Sequence, residues 1–155
     1  MKHLQALLLL VCIGVLIGCS ASLSKEYTFE AGIRMPEVIP LHQSFEVPGY
    51  LKNVSEVTAD IMHGSDLFTY QIKDSHGNSL SPTNDNLLYR HDIGYMAAIL
   101  PDEEYLNNGE EHRSDELYTY TITSPGHYTI QVTASFMMDN DTRVVESDVV
   151  EFTVQ

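Results

Sequence analysis

The chain has no tryptophan, and its two cysteines, Cys12 and Cys19, both fall within the first twenty of 155 residues. Nothing after residue 19 can form a disulfide with anything else there, so an apolar core alone must hold the rest of the chain. Basic charge is scarce as well. Eight Lys and Arg stand against 22 Asp and Glu, a formal net charge of -14. Such a surface repels phosphate backbones and anionic headgroups, which argues against nucleic-acid binding and against a peripheral electrostatic grip on a bilayer. Long apolar runs are also missing. The longest, Leu4 to Ile17, falls short of the roughly 20 residues that cross about 30 Å of hydrocarbon, and polar Ser20 and charged Lys25 follow it closely. No internal repeat, heptad or low-complexity tract is present, and helical periodicity is poor.

Lys2 supplies a positive amino-terminal region, Leu4 to Ile17 an apolar stretch, and Leu16-Ile17-Gly18-Cys19-Ser20 a small residue ahead of a cysteine. This order resembles a bacterial lipoprotein signal. The resemblance implies cleavage before Cys19 and attachment of lipid, palmitate included, to the Cys19 thiol and the new amino terminus. It also implies a location in the bacterial cell envelope, anchored to the membrane through Cys19. Ser20 in place of Asp favours the outer membrane where the host has two. The chain then divides into a signal peptide (residues 1–18), a short lipidated tether (19–26) and one domain (27–155) of ordinary size. Cys12 is discarded with the signal, and a lipidated Cys19 cannot act as a thiolate nucleophile.

Beyond the tether, period-two alternation dominates. Phe68, Tyr70 and Ile72 alternate with Thr69, Gln71 and Lys73. Tyr118, Tyr120 and Ile122 alternate with threonines, and Tyr128, Ile130, Val132, Ala134 and Phe136 alternate with Thr129, Gln131, Thr133 and Ser135. Val150, Phe152 and Val154 repeat the pattern near the carboxyl end. Each run reads as a half-buried antiparallel strand, and weaker strands are expected near Phe45 to Val47 and from Leu51 to Ile61. Asp74-Ser75-His76-Gly77-Asn78, Ser124-Pro125-Gly126 and Met138-Asp139-Asn140-Asp141 read as turns, the second as type II with Gly126 at its third position. The expected fold is an all-β sandwich.

The order Gly126-x-Tyr128-x-Ile130 resembles the E to F corner of immunoglobulin-like domains, where a tyrosine hydroxyl bonds back to the main chain and the residue two further on enters the core. The resemblance implies an immunoglobulin-like antiparallel sandwich with strand E at 117–123, strand F at 128–136, strand G at 146–154 and Asp139-Asn140-Asp141 as the F to G loop. Without tryptophan or paired core cysteines, the likeness is to the general bacterial architecture rather than to antibody domains. A fainter likeness joins Leu51-Lys52-Asn53-Val54-Ser55-Glu56 to the hairpin Tyr70-x-Ile72-x-Asp74-x-x-Gly77. It is similar to small bacterial sandwiches that include the intracellular proteinase inhibitor family of bacilli, and it implies inhibitor activity as the alternative function. Asn53-Val54-Ser55 also matches a glycosylation acceptor, although a structural role fits better behind a bacterial signal.

Residues 79–113 are the least regular. Leu87, Leu88, Tyr89, Ile93, Tyr95, Met96, Ala98, Ile99 and Leu100 offer one or two strands, while Pro101-Asp102-Glu103-Glu104 and Asn107-Asn108-Gly109-Glu110-Glu111 read as polar loops, where binding residues tend to sit. Tyr89, Tyr95 and Tyr105 are the aromatic candidates for partner contact, with core or loop packing as the alternative. Catalytic sets do not assemble. His42, His63, His76, His91, His112 and His127 show no ligand spacing and read as scattered surface histidines. Gly64-Ser65 lacks the nucleophile elbow, and Asp102-Glu103-Glu104 and Glu110-Glu111 have no apolar pocket to separate their pKa values. Asp139, Asn140 and Asp141, with Glu103, Glu104, Glu110, Glu111 and Asp115, would suit calcium as hard oxygen ligands, but the EF-hand pattern is absent. No other cofactor is indicated. The expectation is a non-enzymatic binding or accessory domain with a protein or other macromolecular partner. An envelope hydrolase or inhibitor using residues 79–113 is the alternative.

Overall fold

The computed structural model describes residues 26–64, 67–83, 94–106 and 118–155. They form β1 (Phe29–Ile33), β2 (Val38–Ile39), β3 (Ser44–Glu46), β4 (Gly49–Asn53), β5 (Ala59–His63), β6 (Phe68–Asp74), β7 (Ser79–Leu80), β8 (Tyr95–Ile99), β9 (Glu104–Leu106), β10 (Thr119–Thr121), β11 (Gly126–Met138), β12 (Asp141–Glu146) and β13 (Val150–Val154). Cys19 and the signal segment lie outside the described residues, as do Tyr89, His91, His112, Glu110, Glu111 and Asp115.

β11 is the spine. Its inward positions Tyr128, Ile130, Val132, Ala134, Phe136 and Met138 are all buried, while Thr129, Gln131, Thr133 and Ser135 point outward, as the alternation requires. One flank of β11 carries β6, paired from Tyr128↔Asp74 to Ala134↔Phe68, and β5 at Met137↔Met62. β13 and β12 line the other flank, at Gly126↔Val154 and Thr133↔Glu146. β8 extends this sheet from β5, and β7 extends it from β6. β1, β4 and β9 form a separate antiparallel sheet, and β3 pairs with β10. The layers meet through Phe29 and Phe136, edge to face at 4.9 Å, and through Phe45 and Phe152 at 6.1 Å.

Strand E, now β10, thus pairs with β3, while strand F, now β11, pairs with β6 and with the G strand. Segregating E from F and G is the immunoglobulin-like arrangement, so the all-β sandwich read from the sequence is the architecture found. Among the described residues one pairing is not antiparallel: short β2 runs parallel to β13 at Thr153↔Val38.

The corner tyrosine behaves as the resemblance implies. The Tyr128 hydroxyl donates to the Ser124 carbonyl at 2.8 Å, and Ile130 is fully buried. Tyr128→Phe removes one partly buried hydrogen bond without creating a cavity, so it lowers unfolding stability by about 1 kcal/mol in urea titrations. The turn before Tyr128 differs from expectation. Gly126 has φ 154°, far from the about +80° of a type II third position, and it opens β11 instead of closing a tight turn.

Several strand boundaries move. The expected strand from Leu51 to Ile61 is two strands in two sheets, β4 and β5, because the chain reverses just after Asn53. Strand F reaches Met138, and the loop expected at Asp139-Asn140-Asp141 contracts to two residues. Asp139 (φ 53°) and Asn140 (φ 66°) are both left-handed between paired Met138 and Asp141, the type I′ geometry that matches strand twist. Strand G therefore begins at Asp141 and not at 146, and it is broken at Ser147. Between the Thr133↔Glu146 and Ile130↔Val150 pairs, three steps along β11 face four along its partner, which is a bulge. Ser147 stitches it. The Val132 amide donates to the Ser147 Oγ at 3.0 Å, and the Ser147 hydroxyl donates to the Asp148 carbonyl at 2.7 Å. At the β6 to β7 turn, the Asp74 carboxylate accepts the His76 and Asn78 amides and the Asn78 side chain, each at 2.8 Å. The Asn78 bonds, first among these, hold its carboxyl below the usual value.

Candidate functional site

Asn53 ends β4 with no exposed surface. Its Nδ2 donates to the Val57 carbonyl at 2.8 Å and the Ile99 carbonyl at 2.9 Å, and its Oδ1 accepts the Ser55 amide at 3.0 Å and the Ser55 hydroxyl. Its backbone is held too. The Asn53 amide donates to Glu103 O at 3.1 Å, and Asp102 N donates to Asn53 O at 2.8 Å. All hydrogen-bonding positions of the carboxamide are used, so the Asn-x-Ser triplet is a structural node and not a modification acceptor in the folded domain.

That node fixes where β8 ends and β9 begins. Leu100-Pro101-Asp102-Glu103 turns with Pro101 second and Asp102 third at φ 61°, and Glu103 N donates to Leu100 O at 3.1 Å. The carboxylates of this expected loop are occupied. The Leu100 amide donates to Glu103 Oε2 at 2.7 Å, Asp102 meets Lys52 at 3.4 Å, and Glu104, which belongs to β9 and not to a loop, pairs with Arg34. The Arg34 guanidinium also lies 5.6 Å from the Tyr50 ring centre.

Tyr95 of β8 and Tyr105 of β9 converge on His63 of β5, with ring centres 5.5 Å and 5.4 Å from the imidazole. His63 Nδ1 lies 2.6 Å from the Gly64 carbonyl and Nε2 lies 2.9 Å from the Tyr105 hydroxyl. A carbonyl can only accept, so Nδ1 carries the proton and, in the neutral ring, Nε2 accepts from Tyr105. The reading of all six histidines as surface residues fails here, since His63 is 4% exposed. Its signal was present: Ala59, Ile61 and His63 share the inward parity of β5. The arrangement fixes an imidazole between two phenol rings and joins β5 to β9 across the two sheets.

Among the described residues, no three His, Cys, Asp or Glu side chains come together as a metal ligand set. Asp139 and Asn140 shape the hairpin turn, while Glu110, Glu111 and Asp115 fall outside the described residues. A different row was missed. Met96 of β8, Met62 of β5 and Met137 of β11 are direct cross-strand partners, and they are 84%, 42% and 38% exposed. Each sits at the outward parity of its strand, where alternation predicts a polar residue.

No protein-family model matches this chain, and no curated protein sequence does so. Solved structures of similar shape include the CARDB domain of a Pyrococcus furiosus protein in complex with di-metal ions, at 14% identity over 84% of this chain and 94% of that one, with TM-score 0.42. The ApaA protein of Bordetella pertussis is similar at 13% identity over 84% of this chain and 96% of its own, with TM-score 0.46. Native alpha-2-macroglobulin of Escherichia coli, from domain MG7 to its carboxyl terminus, matches at 10% identity over 84% of this chain and 17% of that one, also with TM-score 0.46.

Proposed function

We propose that the chain is a lipid-anchored, non-enzymatic binding or accessory module of the bacterial cell envelope. The observation that carries this reading is the Leu16-Ile17-Gly18-Cys19 sequence placed shortly ahead of the sandwich, since β1 opens at Phe29, ten residues after Cys19. Fully extended, that span reaches at most about 35 Å, so lipid on Cys19 holds the domain close to its membrane. Stable anchoring takes two lipid signals, and attachment at both the thiol and the amino terminus provides them. The non-enzymatic half of the reading is supported by the buried polar side chains among the described residues. Asn53, His63 and Ser147 are each engaged in bonds that build the fold. The partner is a protein or other macromolecule rather than nucleic acid, given the acidic surface.

Fractionation of cells carrying a tagged chain tests the anchor. Cys19→Ala moves the tag from the membrane to the soluble fraction, and a mutant that stays wholly in the membrane overturns the reading. Protease shaving of intact cells then removes the tag where the domain faces outward.

A further inference from the structure

The outer face of the β11 sheet carries polar residues almost throughout: Thr69, Gln71 and Lys73 on β6, and Thr129, Gln131, Thr133 and Ser135 on β11. Val144 of β12, beside Ser135, breaks it once, and three thioethers break it on one line. Met62 is paired with Met96 on one flank and Met137 on the other. Directly opposed residues have Cβ atoms about 4.5–5.5 Å apart, and an unbranched methionine has three rotatable bonds with which to lean toward a neighbour. Met96 and Met137 can therefore bring their sulfurs over Met62 from both sides. Gly94, just before β8, leaves the Met62 sulfur uncovered on that side, since a Cβ there would already touch the Met62 Sδ at 3.8 Å. Asp60 and Asp139 line the same surface depression.

We infer that Met62, Met96 and Met137 form a binding site for a soft monovalent cation, copper(I), on the outer face of the sandwich. Thioether sulfur is neutral and polarizable. It selects copper(I) and discriminates against calcium and magnesium, which require oxygen. It carries no proton to displace, so affinity is insensitive to pH at the ligands themselves. The net charge of -14 draws cations toward the surface without supplying a competing soft ligand. A purely apolar docking patch is the other use of such a row, and sulfur content separates the two. Leucine keeps the apolar area and removes the ligand.

The test uses the full-length chain in detergent with Cys12 and Cys19 both changed to Ser, so that thiolates do not bind the probe. Copper(I) is added anaerobically against the chromophoric chelator bicinchoninate. One equivalent is expected to transfer to the protein, with the ε-methyl signals of Met62, Met96 and Met137 shifting while that of buried Met138 stays in place. Met62→Leu, the central ligand, weakens binding beyond the about 10–100-fold typical of changes one shell further out, and the triple Leu variant, with unchanged circular dichroism, holds no copper. Failure of the parent to compete, or a triple Leu variant that binds as tightly as the parent, overturns the site and leaves the row as an apolar contact surface.

Discussion

Asn53→Asp is expected to cost the domain about 2–6 kcal/mol of unfolding free energy, because two buried carbonyls each lose a donor at about 1–3 kcal/mol apiece. The substitution is nearly isosteric, so the effect is electrostatic and not a packing loss. Val57 O and Ile99 O, now at 2.8 Å and 2.9 Å from an amide nitrogen, would face a carboxylate oxygen in a site with no exposed surface. Against a typical domain stability of about 5–15 kcal/mol this is a large fraction. The consequence should be seen first where Asn53 ties β4 to the β8–β9 turn, through Asp102 N and Glu103 O. Urea titration by circular dichroism measures it, and amide exchange at Asp102 reports the local loosening. Ser55→Ala is the graded control. It removes the hydroxyl bond to Oδ1 but keeps the backbone amide bond at 3.0 Å, so it should cost only about 1 kcal/mol. An Asn53→Asp variant within about 0.5 kcal/mol of the parent, the scale of an ordinary surface substitution, would show that the node is dispensable.

What the residues disclosed and what they withheld follow from one physical fact: alternation reports which face a side chain takes, not which strand lies beside it. Tyr128 and Ile130 were legible because a corner motif fixes both a hydrogen bond and a burial in local sequence. The strand between Leu51 and Ile61 was misread because β4 and β5 carry the same period, and nothing in the period marks that one ends in one sheet and the other begins in the next. The decisive residue, Asn53, is polar, and its bonds to Val57 and Ile99 depend on the fold being closed. Ser147 was hidden for the same reason, since a bulge is an offset of register and leaves the apolar count of Val150, Phe152 and Val154 unchanged.

The candidate sites were legible to different degrees. Tyr95 and Tyr105, candidates for partner contact with core or loop packing as the alternative, take the packing role, since the structure brings both against His63, a residue expected at the surface. Inward parity on β5 would have placed that imidazole in the core. Met62, Met96 and Met137 are far apart in sequence, and they become a row only through the β8–β5–β11 pairing. The row also stands on a different sheet from β1. β1 belongs with β4 and β9, whereas the methionines face outward from the β11 sheet.

Alkaline pH is expected to unfold the domain in a steep step between pH 10 and 12, driven by two tyrosines. Burial pushes the Tyr70 hydroxyl far above its ordinary value, and burial, with the neighbouring Tyr118, pushes Tyr120 up to about 12. In the unfolded chain both ionise near about 10. Below that pH the two states bind the same protons at these groups and the native state keeps its full stability. Above it the native state retains up to two protons that the unfolded state has lost, so unfolding free energy falls by up to about 2.7 kcal/mol per pH unit. Tyr120 stops contributing once pH passes about 12, and Tyr70 continues beyond. Tyrosinate absorbance followed together with far-ultraviolet dichroism reads the event, with a late rise in absorbance that coincides with loss of strand signal. Tyr120→Phe halves the slope and moves the midpoint upward. Tyr70→Phe behaves differently, because the Gly49 amide donates to the Tyr70 hydroxyl at 2.9 Å. Losing that acceptor weakens the domain at neutral pH as well, by about 1–3 kcal/mol. Dichroism unchanged beyond pH 12, with all nine tyrosines already ionised, would mean that neither hydroxyl is sealed in the core.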